Sequence, residues 1–209
     1  MYTVYLGLGS NLGDRQGNLL QALQKLRAFS TVRAVSAYYE TPASGGVSGP
    51  AFLNVAAEVT TDLDPFALER RLRAVEVAIG RQRAQHLSAR PIDIDVLLVD
   101  GVIHDFGRFE VPHPYLAARP FNLIPLAEIA PTVVEPRSGK TIAELAQAFA
   151  GSGVVKKTRS LHFFANRQEE EPDVKLSINR VGVSSVKRIV RLNVGGVETV
   201  FNGEFSMVA

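Results

Sequence analysis

The chain predicts an α+β fold: a ferredoxin-like sandwich in which a mainly antiparallel sheet carries helices on one face, followed by a short C-terminal all-β fragment. Three observations predict it. From Tyr2 to Val99 the local signals run strand, helix, strand, strand, helix, strand, the order of a split βαβ sandwich. The 209 residues are 46% hydrophobic and 21% charged, enough apolar material for a real core. Beyond Asn166 the helical periodicity stops and short alternating segments take over.

Tyr2 to Leu8 reads as the first strand, and Gly9-Ser10-Asn11-Leu12-Gly13-Asp14 is a loop dense in turn formers. Leu19, Leu23 and Leu26 recur at helical spacing behind it. Thr31 to Glu40 reads as one strand, Thr41 to Pro50 as a long loop rich in Gly and Ser, and Phe52 to Thr61 as the returning strand. Asp64-Pro65 is a helix start, with a capping carboxylate before Pro at the first helical position; Leu68, Leu72, Val75 and Ile79 form the buried stripe, and Gly80 ends the helix. A second loop from Arg81 to Arg90 leads into the strand at Ile92 to Val99. Val102-Ile103 reads as a short strand, Val111-Pro112-His113-Pro114 as a rigid turn, and Phe121 to Ile129 and Ile142 to Phe149 as two short helices. The domain reading is 1–166 for the sandwich, 167–173 for a charged linker and 174–209 for the truncated, strand-rich start of a second domain, with strands at Val174 to Asn179, Lys187 to Val194, Val197 to Phe201 and Phe205 to Val208 and Gly195-Gly196 as a hairpin signal.

The formal net charge of +2 has no dense basic run behind it, which argues against a nucleic-acid partner. The absence of Cys excludes disulfides, thiolate metal sites and Cys nucleophiles. No leader-like or membrane-length apolar stretch opens the chain, so the expectation is a cytoplasmic protein with no membrane partner.

Within Arg90-Pro91-Ile92-Asp93-Ile94-Asp95-Val96 two carboxylates sit one residue apart in an apolar run. In a strand they share a face, where two anions repel one another and lose hydration unless a cation joins them. A hard divalent cation such as Mg2+ suits carboxylate oxygens and keeps positions open for water and phosphate; the alternative is an edge strand whose polar face is simply wet. Arg81, Arg83 and Arg90 lie on the loop that delivers the chain to Asp93, and guanidinium forks match phosphate oxygens. A solvated basic loop is the plainer reading of them. No P-loop is present, and Gly7-Leu8-Gly9 lacks the spacing of a dinucleotide fingerprint. His113, rigid between two prolines, suits a phosphate contact or a structural turn. Periodicity alone places Phe52 and Phe121 in the core, while their polar neighbours Asn54 and Arg119 favour stacking on a heterocycle.

Taken in order, Leu8-Gly9-Ser10-Asn11-Leu12-Gly13-Asp14, Tyr39-Glu40-Thr41-Pro42, Phe52-Leu53-Asn54, Glu76 with Gly80-Arg81-Gln82-Arg83, Arg90-Pro91-Ile92-Asp93-Ile94-Asp95, Val111-Pro112-His113-Pro114 and Arg119-Pro120-Phe121 resemble the 6-hydroxymethyl-7,8-dihydropterin pyrophosphokinases of folate biosynthesis. The resemblance implies transfer of pyrophosphate from ATP to the pterin hydroxymethyl group, leaving AMP. It implies two Mg2+ ions on Asp93 and Asp95, and Arg81 and Arg90 as catalytic arginines on the triphosphate. Thr41, Pro42, Phe52, Asn54 and Phe121 would hold the pterin; Glu76, Arg81, Arg83, Arg90, His113 and Arg119 would serve ATP. The chain departs from the family at Ala84 to Ala89, where a basic and an aromatic residue are missing and His86 stands as a partial replacement. Glu171 to Val183 with Asn202-Gly203-Glu204-Phe205-Ser206 is similar to the opening of a metal-dependent GTP cyclohydrolase, implying a covalently fused partner, yet this tail has neither Cys nor His for a metal centre. The alternative functions are a catalytically silent pterin- or nucleotide-binding module and a metal-dependent phosphohydrolase.

Overall fold

Along the first strand Val4, Leu6 and Leu8 alternate with Tyr5, Gly7 and Gly9, and this period of two divides the sheet into two different faces. The computed structural model describes residues 1–43, 49–82, 88–105, 107, 109–150, 155–157, 186–194 and 197–205. By backbone contacts the chain divides into two units, Met1–Gln168 and Glu169–Ala209.

In the first unit, β1 (Tyr2–Ser10) leads through a capped turn into α1 (Arg15–Leu26). Next come β2 (Thr31–Val35), β3 (Tyr39–Thr41), β4 (Phe52–Thr61), α2 (Pro65–Ala78) and β5 (Asp93–Val99). β4 and β5 flank β1, and β2 and β3 pair in succession with the other edge of β4, every pairing antiparallel. This is the strand order of the split βαβ sandwich. α2 begins as its sequence requires: Asp64 Oδ1 accepts the backbone N–H groups of Phe66 at 3.0 Å and Ala67 at 2.9 Å ahead of Pro65 in the first turn.

The segment 31–40 is not one strand. It breaks at Ser36, whose Oγ accepts the Ala56 N–H at 2.9 Å and so replaces a ladder carbonyl with a side chain. Nor is Val102-Ile103 a strand: the pairing there is a two-residue bridge between β6 (His104–Asp105) and β7 (Glu110–Val111), because the chain turns at Gly101 with φ +67°. After a 3-10 turn at Leu116–Ala118 come α3 (Pro120–Ile129), the small hairpin of β8 (Val134–Glu135) and β9 (Lys140–Thr141), α4 (Ile142–Gln147) and β10 (Lys156–Lys157), which adds to β3.

Helices cover both faces, not one. Val4, Leu6, Leu8, Val55, Ile94 and Val96 pack beneath α1 and α2 as the main core. On the opposite face Tyr5, Ala56, Leu97 and Leu98 form a second core with Leu116, Leu123 and Leu126. A bulge is the cause. Tyr5 pairs with Leu98 but Leu6 pairs with Val96, so Leu97 is an extra residue, and the two consecutive leucines turn to the same side. This second face is therefore polar at the Asp93 end of β5 and apolar at its other end, and α3 covers the apolar end.

In the second unit, β11 (Val186–Val194) and β12 (Val197–Phe205) form a hairpin closed by a two-residue connection, in the register Val194 with Val197 to Val186 with Phe205. The strand expected at Val197 to Phe201 continues to Phe205, and the rest of the strand expected at Phe205 to Val208 lies outside the described residues. The expected linker 167–173 and the strand at Val174 to Asn179 lie outside the described residues.

Candidate active site

The open end of the second face is built as rows running across three strands. Gly9 of β1 pairs with Asn54 of β4 on one side and Asp93 of β5 on the other; one step along, Gly7 pairs with Ala56 and Asp95. The glycines form the floor. A Cβ on Gly9 would lie 2.8 Å from Asn54 Oδ1, and one on Gly7 would lie 2.9 Å from Asn122 Oδ1, so the absence of a side chain makes the trough.

On the β4 side, Asn54 is 6% exposed and its Nδ2 donates to Thr41 Oγ1 at 2.9 Å, which fixes the amide plane. Thr41 is buried, Pro42 is exposed at the mouth, and Phe52 is partly exposed. The Arg90 guanidinium carbon lies 5.4 Å from the centre of the Phe52 ring, so this ring is a wall of the cleft rather than a core residue. Phe121, at the start of α3, is likewise partly exposed, with Arg119 at 5.7 Å from its centre.

On the β5 side two guanidinium groups converge on Asp93. Arg90 Nη2 lies 2.6 Å from its Oδ2, and Arg81 Nη1 donates to its Oδ1. Arg81 also donates to Glu76, which sets the place of Glu76. That carboxylate is only 2% exposed; it accepts the Ile94 N–H at 2.7 Å, supplying a partner along the outer edge of β5, and pairs with Arg73 at 3.3 Å. Burial pushes the Glu76 carboxyl up, with Arg81 opposing it. Glu76 lies beneath the cleft rather than lining it.

Asp95 keeps more freedom. Among the described residues its nearest cation is Arg119, 4.0 Å away, and burial together with the Asp93 charge pushes its pKa up to about 6. His113 Nδ1 accepts the Tyr115 N–H at 3.1 Å, which leaves the proton of the neutral ring on Nε2, 3.5 Å from Arg119 Nη1. Burial and the Arg119 charge lower its pKa to about 4, so at neutral pH it is an uncharged donor beside a cation. Among the described residues no three or more His, Cys, Asp or Glu side chains form a cage for a metal. Two carboxylates on one face of a strand are nevertheless a donor set of the kind that holds Mg2+ together with substrate phosphates, with both oxygens of Asp93 engaged by arginines here.

Thr41, Pro42, Phe52, Asn54, Arg81, Arg90, Asp93, Asp95, His113, Arg119 and Phe121 thus line one cleft or its rim, whereas Arg83 and His86 lie outside the described residues. Two features went unread in the sequence. A cavity of about 230 Å3 adjoins Asp95, lined among others by Glu69, Arg73, Val96, Phe109 and Glu110 from three distant segments. Asn11, 1% exposed, joins both loops: its Nδ2 donates to the Pro50 carbonyl at 3.2 Å and its Oδ1 accepts the Arg90 N–H at 2.8 Å. The sequence signals for it were its place in the loop after β1 and in the segment Leu8 to Asp14 of the family resemblance.

Known proteins resemble the chain in sequence and in fold. The chain is 40% identical over 144 residues to a 2-amino-4-hydroxy-6-hydroxymethyldihydropteridine pyrophosphokinase of Aquifex aeolicus, an alignment covering 69% of this chain and 90% of that protein. It is 40% identical over 156 residues to the protein of the same name from Methylorubrum extorquens, covering 74% and 98%. The fold is shared with the wild-type HPPK-DHPS of Plasmodium falciparum, crystallised with pterin and p-hydroxybenzoate, at a TM-score of 0.58 and 14% identity over 75% of this chain. The chain spans about half of that longer protein, 46% of its length. Residues 5–131 match the model of 7,8-dihydro-6-hydroxymethylpterin-pyrophosphokinase, and the chain belongs to that family.

Proposed function

We propose that the protein transfers the β,γ-pyrophosphoryl group of ATP to the hydroxymethyl oxygen of 6-hydroxymethyl-7,8-dihydropterin, a step of folate biosynthesis. The new bond joins that oxygen to the β-phosphorus; the bond between the β-phosphorus and the α–β bridging oxygen breaks, AMP leaves with that oxygen, and the hydroxyl proton is released. The observation that carries the reading is the row Asn54, Gly9, Asp93, which sets an amide and a carboxylate on the two strands flanking β1 with a bare glycine between them.

The pterin lies between Phe52 and Phe121, its amide edge on Asn54, Thr41 and the backbone at Pro42. The base of ATP occupies the cavity beside Asp95. Asp93 and Asp95 would hold Mg2+, two ions in this reading, and the metal would supply charge neutralisation for the polyphosphate. Both oxygens of Asp93 are engaged by arginines. Arg81 and Arg90 serve the triphosphate, where positive charge counts most as the α–β bridge breaks. Glu76 keeps Arg81 at hand. His113 and Arg119 offer a neutral N–H and a cation to the phosphates, and Arg83 adds a further contact. Among the described residues no helix is long and apolar enough to cross a membrane; the cytoplasm is the proposed location.

The domain reading of 1–166 as the pyrophosphokinase, with a tail akin to the start of a fused GTP cyclohydrolase, rests on the tail residues quoted above. This chain is expected to leave GTP unchanged, having no Cys or His in that tail. The test of the main reading is pterin-dependent AMP formation from ATP and Mg2+. Asp93→Ala and Asp95→Ala are each expected to lower turnover by about a thousandfold or more while leaving most of the pterin affinity. Near-wild-type rates in either variant would sink the metal assignment; pterin binding with no AMP would favour the silent module.

A further inference from the structure

The β3–β4 hairpin carries four of the residues assigned to the pterin, Thr41 and Pro42 on one stem and Phe52 and Asn54 on the other. Thr41 and Phe52 face each other across the ladder at the point where the loop leaves the sheet. Arg15, the first residue of α1, reaches both stems from outside with a single nitrogen. Its Nη1 donates to Glu40 Oε1 at 2.7 Å and to the Ala51 carbonyl oxygen at 2.7 Å. Glu40 immediately precedes Thr41, and Ala51 immediately precedes Phe52.

The base of Arg15 is itself fixed. Asp14 Oδ1 accepts the Gly17 N–H at 2.9 Å, and Asn18 Nδ2 donates to the Leu12 carbonyl at 2.9 Å, so the first turn of α1 is held to the loop after β1. The Arg15 and Glu40 side chains are 32% and 37% exposed, and an ion pair so well hydrated adds little to global stability. A guanidinium shared between a carboxylate and a carbonyl is directional all the same, and what it constrains is the separation of two stems.

We propose that Arg15 is a positioning residue for the pterin: by tying Glu40 to Ala51 it sets the spacing between the Phe52 ring and the Thr41–Asn54 edge. The proposal rests on the assignment of this hairpin to the pterin. Among the described residues none of the contacts of Arg15 reaches Asp93, Asp95 or the arginines beside them, so its effect falls on one substrate. No bond to the ligand is involved, and the reaction step itself is untouched.

Steady-state kinetics on the full chain, with ATP, Mg2+ and the dihydropterin, test it in Arg15→Met, Arg15→Lys and Glu40→Gln. Arg15→Met is expected to raise the pterin KM about fivefold to tenfold, the effect of losing a partly exposed charge-assisted hydrogen bond, with kcat and the ATP KM within about twofold. Arg15→Lys restores part of the loss, because an ammonium reaches one acceptor at a time, and Glu40→Gln lies between the two. Melting temperatures are expected within about 2 °C of the parent. An unchanged pterin KM in Arg15→Met, or pterin and ATP KM rising together with a lower melting temperature, overturns the proposal while leaving the functional reading intact. Absence of pterin-dependent AMP in the parent chain would instead remove the reading on which it rests.

Discussion

Asp95 and His113 show how single residues are set against their own stability. Asp95 carries its charge in a half-closed cleft beside a second carboxylate, which pushes its pKa up to about 6. A raised carboxyl pKa means that the folded state binds the proton more tightly, so the ionised group costs stability above about pH 6, and the cost fades as the pH falls toward the unfolded value near 4. Asp95→Asn is accordingly expected to stabilise the ligand-free protein by about 1–3 kcal/mol at pH 7.5 in denaturant titration, with no gain near pH 4. A destabilised Asn variant at pH 7.5 would contradict the burial argument. His113 runs the other way. Its pKa is lowered to about 4, so between about pH 6.5 and pH 4 the unfolded chain takes up a proton that the folded chain refuses. Stability is full above that window and falls through it; His113→Asn should flatten the fall, read as melting temperature against pH.

At the scale of elements the bulge in β5 divides the work. It turns Leu97 and Leu98 onto α3 while Asp93 and Asp95 stay on the uncovered end of the same face. The glycines of β1 then decide how closely ligands approach. Gly9→Ala would bring a Cβ to within 2.8 Å of Asn54 Oδ1, and Asn54 is pinned to Thr41, so the amide cannot turn away freely. The expected result is about 1 kcal/mol of lost pterin affinity, seen as a several-fold higher pterin dissociation constant in calorimetry with a smaller change in ATP affinity. An unchanged pterin constant would mean that the Asn54 edge is not the pterin contact. Strand alternation, the Asp64 cap and the three leucines of α1 were all legible locally. The bulge and the break at Ser36 were not, since each is decided by what a neighbouring strand offers in register.

For the whole molecule, the first unit contains every described residue assigned to the reaction, and the Methylorubrum relative is covered over 98% of its length by 156 aligned residues. Ending the chain after Asn166 is therefore expected to leave kcat and both KM values within about twofold; a large loss would assign the tail a part in the activity. The family motifs, in their order, were already enough to point to pterin and ATP. Composition and spacing alone had left Asp93 and Asp95 between a metal seat and a wet edge, and Phe52 between core and wall. For Phe52 the choice turns on a neighbour distant in sequence, the Arg90 guanidinium over its ring.

The sequence by itself determined the order of the elements, the paired carboxylates and the family, because periodicity, capping and motif order are properties of neighbouring residues. Only the tertiary structure decided that helices cover both faces, that Glu76 lies beneath the cleft, and that Arg15 and Asn11 hold its loops. Each of these depends on packing between segments tens of residues apart, where one bulged residue is enough to reassign a face.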